Sequence, residues 1–147
     1  MPELYVFDTN ILVHIIRDDL TGQEIKTKYT PFLLDPKPRF CTVSEGELRS
    51  LAIQFVWGAP KLNQMEFVLA HMGRLTIEKF EVMKAYATLD AYSKAHGIAM
   101  GKNDLWIAAV TVVADARLLT TDTDFDHLIS GGFIKVDRIE YAEQKQP

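Results

Sequence analysis

Four acidic residues of this chain occupy positions from which carboxylates can act together. Asp8 follows a short apolar run, Asp122 follows another, and Glu47 and Asp104 fall in the first turns of predicted helices. In an open parallel sheet the carboxyl ends of the strands form one edge, and the helix N-termini that follow them gather there. The spacing therefore predicts that acids from opposite ends of the chain meet at one site.

A group of carboxylates held together favours a divalent cation. Like charges repel, and without compensation some of the group would stay protonated. Magnesium prefers a few carboxylates together with water and phosphate oxygens, an arrangement suited to phosphodiester hydrolysis. Each acid also has a simpler role open to it, because first-turn acids cap helices and Asp8-Thr9-Asn10 can form an Asx turn.

Short polar side chains adjoin these acids. Thr9, Asn10, Ser44 and Thr121 are predicted to orient the carboxylates or a metal-bound water. Capping and turn formation are the alternative roles. Asp124 either assists through a water or caps the helix that follows it.

The elements that must position these residues alternate between β-rich and helical patterns, which predicts an α/β domain with a mainly parallel sheet. Ser44 and Glu47 fit a capping box, and Gly97 fits the C′ position of a helix. Strands are predicted at 4–7, 39–43, 98–100, 118–121 and 134–136. Helices are predicted from residue 11 onward, at 23–34, from Ser44 to the break at 57–60, from there to about His71, at 77–96, and from Lys102 or Asn103 to Ala114.

Length and composition indicate one domain covering residues 1–147, with 48% hydrophobic residues to form its core. The net charge of −4 argues against binding nucleic acid by broad electrostatics, although bound divalent ions reverse the sign locally. No apolar run is long enough to span a membrane and no secretory signal is evident, so we expect a cytoplasmic protein. The single cysteine, Cys41, is expected in the core.

Several other chemistries are disfavoured. The four histidines show no i, i+4 pair suited to zinc, and no glycine-rich phosphate loop or dinucleotide fingerprint is present. Phosphatases with a nucleophilic aspartate need a second acid two residues later, where this chain has Asn10.

The predicted core face of the helix that carries Glu47 consists of Leu48, Leu51, Ala52 and Phe55. A second apolar stripe adjoins this face. It consists of Ile53, Val56 and Trp57, and the next segment adds Leu62, Met65, Phe67, Val68 and Leu69. We predict that the two helices form a groove for a partner helix or a dimer contact. Packing within a single chain is the alternative.

Four segments together resemble the PIN-domain family, and specifically the VapC-type toxins of type II toxin–antitoxin pairs. They are Leu4-Tyr5-Val6-Phe7-Asp8-Thr9-Asn10-Ile11-Leu12, Ser44-Glu45-Gly46-Glu47-Leu48-Arg49, Gly101-Lys102-Asn103-Asp104-Leu105-Trp106-Ile107-Ala108-Ala109 and Leu118-Leu119-Thr120-Thr121-Asp122-Thr123-Asp124-Phe125. The resemblance implies a three-layer α/β/α domain, RNA cleavage with Mg²⁺ or Mn²⁺, and neutralisation by a cognate antitoxin.

In this match Asp8, Glu47, Asp104 and Asp122 are the catalytic acids, and Asp8, Asp104 and Asp122 are the metal ligands. Glu45 lies about 200° around the helix from Glu47, so the two cannot face one site, and Glu47 precedes Leu48 as the family motif requires.

The function expected from the sequence is that of an endoribonuclease toxin acting on RNA, bound by an antitoxin and forming a homodimer. A PIN nuclease of RNA processing without an antitoxin is the first alternative, and a non-catalytic PIN-like binding module is the second. Four like charges held together argue against a binding module, since it has no use for them.

Overall fold

The structure, a computed structural model, describes residues 2–142. Its strands are β1 (Tyr5–Phe7), β2 (Arg39–Cys41), β3 (Gly73–Leu75), β4 (Arg117–Thr120) and β5 (Lys135–Arg138). Its α-helices are α1 (Thr9–Arg17), α2 (Leu20–Tyr29), α3 (Thr42–Gln54), α4 (Ala59–Ala70), α5 (Phe80–Ala95), α6 (Lys102–Val113) and α7 (Asp126–Ser130), with a 3₁₀ turn at Pro31–Leu33.

The five strands form one parallel sheet in the order β3-β2-β1-β4-β5. The chain adds β2 and β3 on one side of β1, then returns through α5 and α6 to place β4 on the other side. The point where the order reverses, between β1 and β4, is where open α/β sheets bind ligands. The Asp8 N–H donates to the Leu119 carbonyl at 2.9 Å, so the C-terminal ends of these two strands lie side by side.

Helices cover both faces of the sheet. Alternate strand residues point to opposite faces: Phe7 and Leu119 pack with α1 to α4, whereas Val6 and Leu118 pack with α5, α6 and α7. The predicted three-layer α/β/α architecture with a parallel sheet is confirmed. Cys41 is fully buried, as expected. Within residues 2–142, no helix combines the length and the apolar character needed to cross a membrane.

The predicted strand at 98–100 is wrong, because that segment forms neither strand nor helix. The strand at this edge of the sheet is β3, which follows α4 and pairs with β2. The helix predicted at 23–34 begins at Leu20, after Asp19 accepts a hydrogen bond from the Gly22 N–H at 2.8 Å. It ends at Tyr29, because Thr30 has a positive φ of 42° and Pro31 follows.

The capping box predicted at Ser44 is also wrong. Helix α3 begins at Thr42 with Cys41 as its N-cap, so Ser44 is a buried residue inside the helix and Glu47 lies in its second turn. The predicted strand at 39–43 accordingly ends at Cys41. By contrast, α6 begins at Lys102 with Asp104 in its first turn, as predicted, and Gly97 follows α5 with a φ of 71°.

The second apolar stripe is divided by the structure. Trp57, Met65, Val68 and Leu69 are buried in the core, whereas Ile53 and Val56 are 79% and 84% exposed. Phe55, predicted to face the core, is 60% exposed because α3 ends at Gln54 and the chain turns outward there.

Candidate active site

A cavity of about 400 Å³ opens where the ends of β1 and β4 meet α1, α3 and α6. All four predicted catalytic carboxylates line it. The full lining is Asp8, Thr9, Asn10, Val13, His14, Arg17, Glu47, Leu51, Asp104, Asp122 and Tyr141. The cavity lies at the switch point of the sheet, at the carboxyl ends of the strands, where the sequence predicts that the acids meet.

Asp8 is almost fully buried at the end of β1, where it is also the N-cap of α1. Its Oδ1 accepts a hydrogen bond from the Thr9 N–H at 2.8 Å, and its Oδ2 accepts one from the Thr120 hydroxyl at 2.7 Å. Burial raises the pKa of Asp8 to about 6, with a smaller contribution from Glu47 and Asp122, although both hydrogen bonds act in the opposite direction. Each carboxylate oxygen of Asp8 therefore accepts a hydrogen bond from a threonine, Oδ1 from the backbone of Thr9 and Oδ2 from the hydroxyl of Thr120.

Glu47 is positioned by a chain of hydroxyls. The Thr9 hydroxyl lies 2.6 Å from Glu47 Oε1 and 2.8 Å from the Ser44 hydroxyl. It carries one hydrogen and a carboxylate only accepts, so Thr9 donates to Glu47 and accepts from Ser44. Ser44 therefore lies inside α3 and does not cap it. It contacts the Thr9 hydroxyl, which in turn positions Glu47.

Asp104 projects from the first turn of α6 and is partly buried. Its pKa is raised to about 7, first by burial and then by the negative charges of Asp8, Asp122, Asp124 and Glu47. Each of these acids makes ionisation of Asp104 less favourable, because their carboxylates converge on the same cavity.

Asp122 and Asp124 form a short turn after β4. The Asp122 N–H donates to the Thr120 hydroxyl at 3.0 Å, and the Asp124 N–H donates to Asp122 Oδ1 at 3.2 Å. Asp104, Asp122 and Asp124 each offer a carboxylate oxygen within 4.8 Å of the others. The exposed Asp124, predicted to have a supporting role, therefore lies close enough to share an ion with the predicted ligands Asp104 and Asp122.

The threonine that holds Asp8 is Thr120, which the sequence did not single out. The sequence predicts this role for Thr121, but its hydroxyl lies 3.5 Å from the Tyr141 hydroxyl, and its N–H donates to Asn10 Oδ1 at 3.3 Å. Asn10 thus joins the start of α1 to the end of β4, and neither its amide nor the Thr121 hydroxyl bonds a carboxylate among residues 2–142.

Glu45 is directed away from the cavity, as the helical spacing predicts. It accepts hydrogen bonds from Arg49, at 2.9 Å, and from Arg74. These two arginines lower the pKa of Glu45, whereas burial opposes them. Its charge is compensated by neighbouring residues, whereas Asp8, Glu47, Asp104 and Asp122 form no ion pair with any residue from 2 to 142.

The donor set fits a divalent cation. It consists of carboxylate oxygens, the ligands preferred by Mg²⁺ and Mn²⁺. Burial raises the pKa values of Asp8 and Asp104 most and the neighbouring acids raise them further, so a bound cation would favour the ionised forms of both residues. Asp104, Asp122 and Asp124 are the residues close enough to share an ion, and Asp8 lies in the same cavity.

Comparison with known proteins identifies the family of this chain and solved structures with a similar fold. A family model, the PIN domain, matches residues 5–129. No curated protein matches the chain.

Three solved structures are similar over nearly their whole length. VapBC2 from Rickettsia felis, bound to a promoter DNA fragment, has a TM-score of 0.74 at 16% identity, covering 92% of this chain and 98% of that one. VapBC-1 from nontypeable Haemophilus influenzae has a TM-score of 0.70 at 22% identity, with 92% and 97% covered. The toxin–antitoxin protein VapBC-5 from Mycobacterium tuberculosis has a TM-score of 0.66 at 24% identity, with 95% and 100% covered. At these identities the similarity shows a shared fold.

Proposed function

The chain belongs to the PIN-domain family, and from this premise we propose that it is a metal-dependent endoribonuclease, the toxin of a type II toxin–antitoxin pair. The observation that carries the proposal is the convergence of Asp8, Glu47, Asp104 and Asp122 in one open cavity. A non-catalytic binding module would have no reason to keep these acids together, because burial and their mutual repulsion both make ionisation of Asp104 less favourable.

The chemistry follows from the donors. When bound, Mg²⁺ or Mn²⁺ would supply a water activated for attack on an RNA phosphate and would stabilise the leaving oxygen. Asp104 and Asp122, with Asp8 or Asp124, would hold the ion. Thr120 fixes Asp8 through Oδ2. Glu47 engages Thr9 through Oε1, so Oε2 is the oxygen left to accept a proton from the attacking water.

The test is incubation of the purified protein with total cellular RNA, followed by mapping of new ends. We expect cleavage at discrete sites with Mg²⁺ or Mn²⁺ and none with chelator. Asp8→Asn and Asp104→Asn should each reduce the rate by at least a hundredfold, in the range typical for removal of a group that acts in the reaction. Cleavage by both variants at the parent rate would contradict the proposal.

We further propose that an antitoxin covers the exposed apolar end of α3, formed by Ile53, Phe55 and Val56. These side chains are 79%, 60% and 84% exposed, and three large apolar groups within four residues at this exposure are typical of a protein-binding surface. An apolar face of an antitoxin helix is the proposed occupant, and the resemblance of the fold to VapBC proteins supports this choice.

The informative substitution is Val56→Asp, because Trp57 is buried and Trp57→Asp would unfold the chain. The first step is to identify a short reading frame with a DNA-binding N-terminus next to the gene, and we expect Val56→Asp to abolish co-purification with its product. Phe80→Asp, at a 70% exposed position on α5, is the matched control and should retain it. If Val56→Asp instead converts a dimer into a monomer by sedimentation and leaves the co-purification intact, this surface joins two copies of the chain.

A further inference from the structure

The half of the cavity opposite the carboxylates has a different character. Its lining from α1 recurs at helical spacing, at Asn10, Val13, His14 and Arg17, which places these residues on one face of the helix. Along this face the lining changes from acidic at Asp8 to cationic and aromatic at Arg17 and His14. Tyr141, from the segment after β5, completes this half.

Arg17 brings a positive charge to the mouth of the cavity. Its side chain is exposed, and its guanidinium lies 6.0 Å from the centre of the Phe55 ring. It forms no ion pair with any residue from 2 to 142, unlike Arg49, Arg74 and Arg117, which pair with acids. Arg17 is therefore held at the entrance with its charge available to a ligand.

His14 fixes the aromatic part of this half. Its Nδ1 lies 2.8 Å from Asp19 Oδ2, and the other oxygen of Asp19 accepts from the Gly22 N–H at the start of α2. The carboxylate is thus anchored to the backbone, and the buried imidazole cannot rotate without breaking the bond to Asp19. The Tyr141 ring meets the imidazole edge-on, with the centroids 5.1 Å apart.

The segment that carries Tyr141 is fastened on both sides of that residue. The Ile139 N–H donates to the Thr120 carbonyl at 2.8 Å, and the Ala142 N–H donates to the Thr21 hydroxyl at 2.9 Å. Between these two bonds the Tyr141 side chain remains 62% exposed. A fixed backbone thus presents an aromatic ring at the rim of a polar cavity, with one face not covered by His14.

We propose that Arg17 and Tyr141, with His14 bracing the tyrosine, form a nucleotide subsite next to the carboxylates. The inference rests on the proposed function and names how single-stranded RNA is held there: Arg17 pairs with the phosphate of a nucleotide adjacent to the one being cut, and its base stacks on Tyr141. Proteins bind single strands by this combination of backbone charge and aromatic stacking. It also resolves how a chain with a net charge of −4 binds a polyanion, because the required charge is local.

The test measures binding and does not depend on cleavage. The probe is a fluorescein-labelled single-stranded RNA decamer of random sequence, with Ca²⁺ replacing Mg²⁺ and fluorescence anisotropy read across a salt series. We expect Arg17→Gln to weaken binding and to reduce the slope of log K against log salt by about 0.7, the contribution of one single-strand phosphate. We expect Tyr141→Ala to weaken binding roughly tenfold with the slope unchanged.

Three further variants separate stacking and local charge from other causes. Tyr141→Phe keeps the ring and should bind like the parent, whereas Tyr141→Leu keeps apolar bulk without an aromatic face and should bind like Tyr141→Ala. Lys84→Gln removes one positive charge from α5, which does not line the cavity, and should leave both affinity and slope unchanged.

The outcomes distinguish the subsite from the function. If the parent binds and cuts RNA but Arg17→Gln and Tyr141→Ala retain its affinity and slope, the subsite is wrong and the nuclease remains. If Tyr141→Leu binds like the parent, stacking is wrong. If the parent neither binds the decamer nor cuts total RNA, the proposed function and the subsite both fail.

Discussion

At the scale of single residues, the threonines define the site as much as the acids do. Thr9 donates to Glu47, and Thr120 both donates to Asp8 and accepts from the Asp122 N–H. The acids could be predicted because their type and their places after strands point to one edge of the sheet. Thr120 could not be separated from Thr121, because alternation along the strand assigns opposite faces to neighbours and the strand end was uncertain by a residue.

The burial of Asp8 and Asp104 and the repulsion among the acids have a consequence for stability. An ordinary aspartate has a pKa near 3.8, whereas folding raises that of Asp8 to about 6 and that of Asp104 to about 7. Between about pH 4 and pH 7 the folded chain therefore binds protons that the unfolded chain has lost, and the metal-free protein becomes less stable as pH rises through this range.

Asp104→Asn tests this linkage in metal-free buffer. We expect the variant to be more stable than the parent at pH 7.5 by roughly 2 kcal/mol, after allowance for the partial exposure of Asp104, and about equal to it at pH 4.5. Urea unfolding at both pH values provides the measurement. Glu78→Gln, an exposed acid remote from the cavity, should show no such difference between the two pH values.

Magnesium should reverse the sign of that comparison. A cation that binds only the folded parent stabilises it by mass action, so saturating Mg²⁺ at pH 7.5 should stabilise the parent more than Asp104→Asn. Equal stability of parent and variant at pH 7.5 without metal would mean that burial and the neighbouring acids do not raise the pKa of Asp104 significantly.

At the scale of elements, the long helices and the central strands were predictable because their apolar periodicity is strong. The failures lie at short elements. Gly73-Arg74-Leu75 has neither an apolar run nor β-branched residues, and its strand exists because β2 offers it a ladder of hydrogen bonds. Ile98-Ala99-Met100 has the apolar run but no neighbouring strand to pair with, so tertiary context decided both cases.

The packing of α1 against α2 depends on one glycine. A Cβ at Gly22 would lie 2.0 Å from the His14 carbonyl oxygen, which is backbone and cannot move aside, whereas a Cβ at Gly46 in α3 would meet nothing within 4 Å. We expect Gly22→Ala to destabilise the fold by at least 2 kcal/mol, and Gly46→Ala to stabilise it by about 0.5–1 kcal/mol.

Denaturant unfolding of the two variants provides the comparison. The same chemical change is made in two helices, so the intrinsic preference of alanine for helix cancels and the difference reports the close approach of α2 to α1. Equal effects in the two variants would contradict the packing described for Gly22, and with it the placement of His14.

At the scale of the whole molecule, the sheet order explains why one cavity collects distant residues. The reversal between β1 and β4 brings Asp8 and Asp122 together, and the helices that follow β2 and precede β4 add Glu47 and Asp104. The acidic half was predictable from strand ends alone. Tyr141 was not, because nothing in the sequence indicates that the segment after β5 folds back beside α1 and α2.

The measurement that most directly tests the central claim is the single-turnover rate of cleavage at one mapped RNA site for Glu47→Gln and Glu45→Gln. The two glutamates lie two residues apart on α3, but Glu47 lines the cavity and Glu45 pairs with Arg49 and Arg74. We predict that Glu47→Gln loses at least a hundredfold in rate while Glu45→Gln stays within about threefold of the parent. Equal rates for the two variants would show that the carboxylates of this cavity are not where RNA is cut.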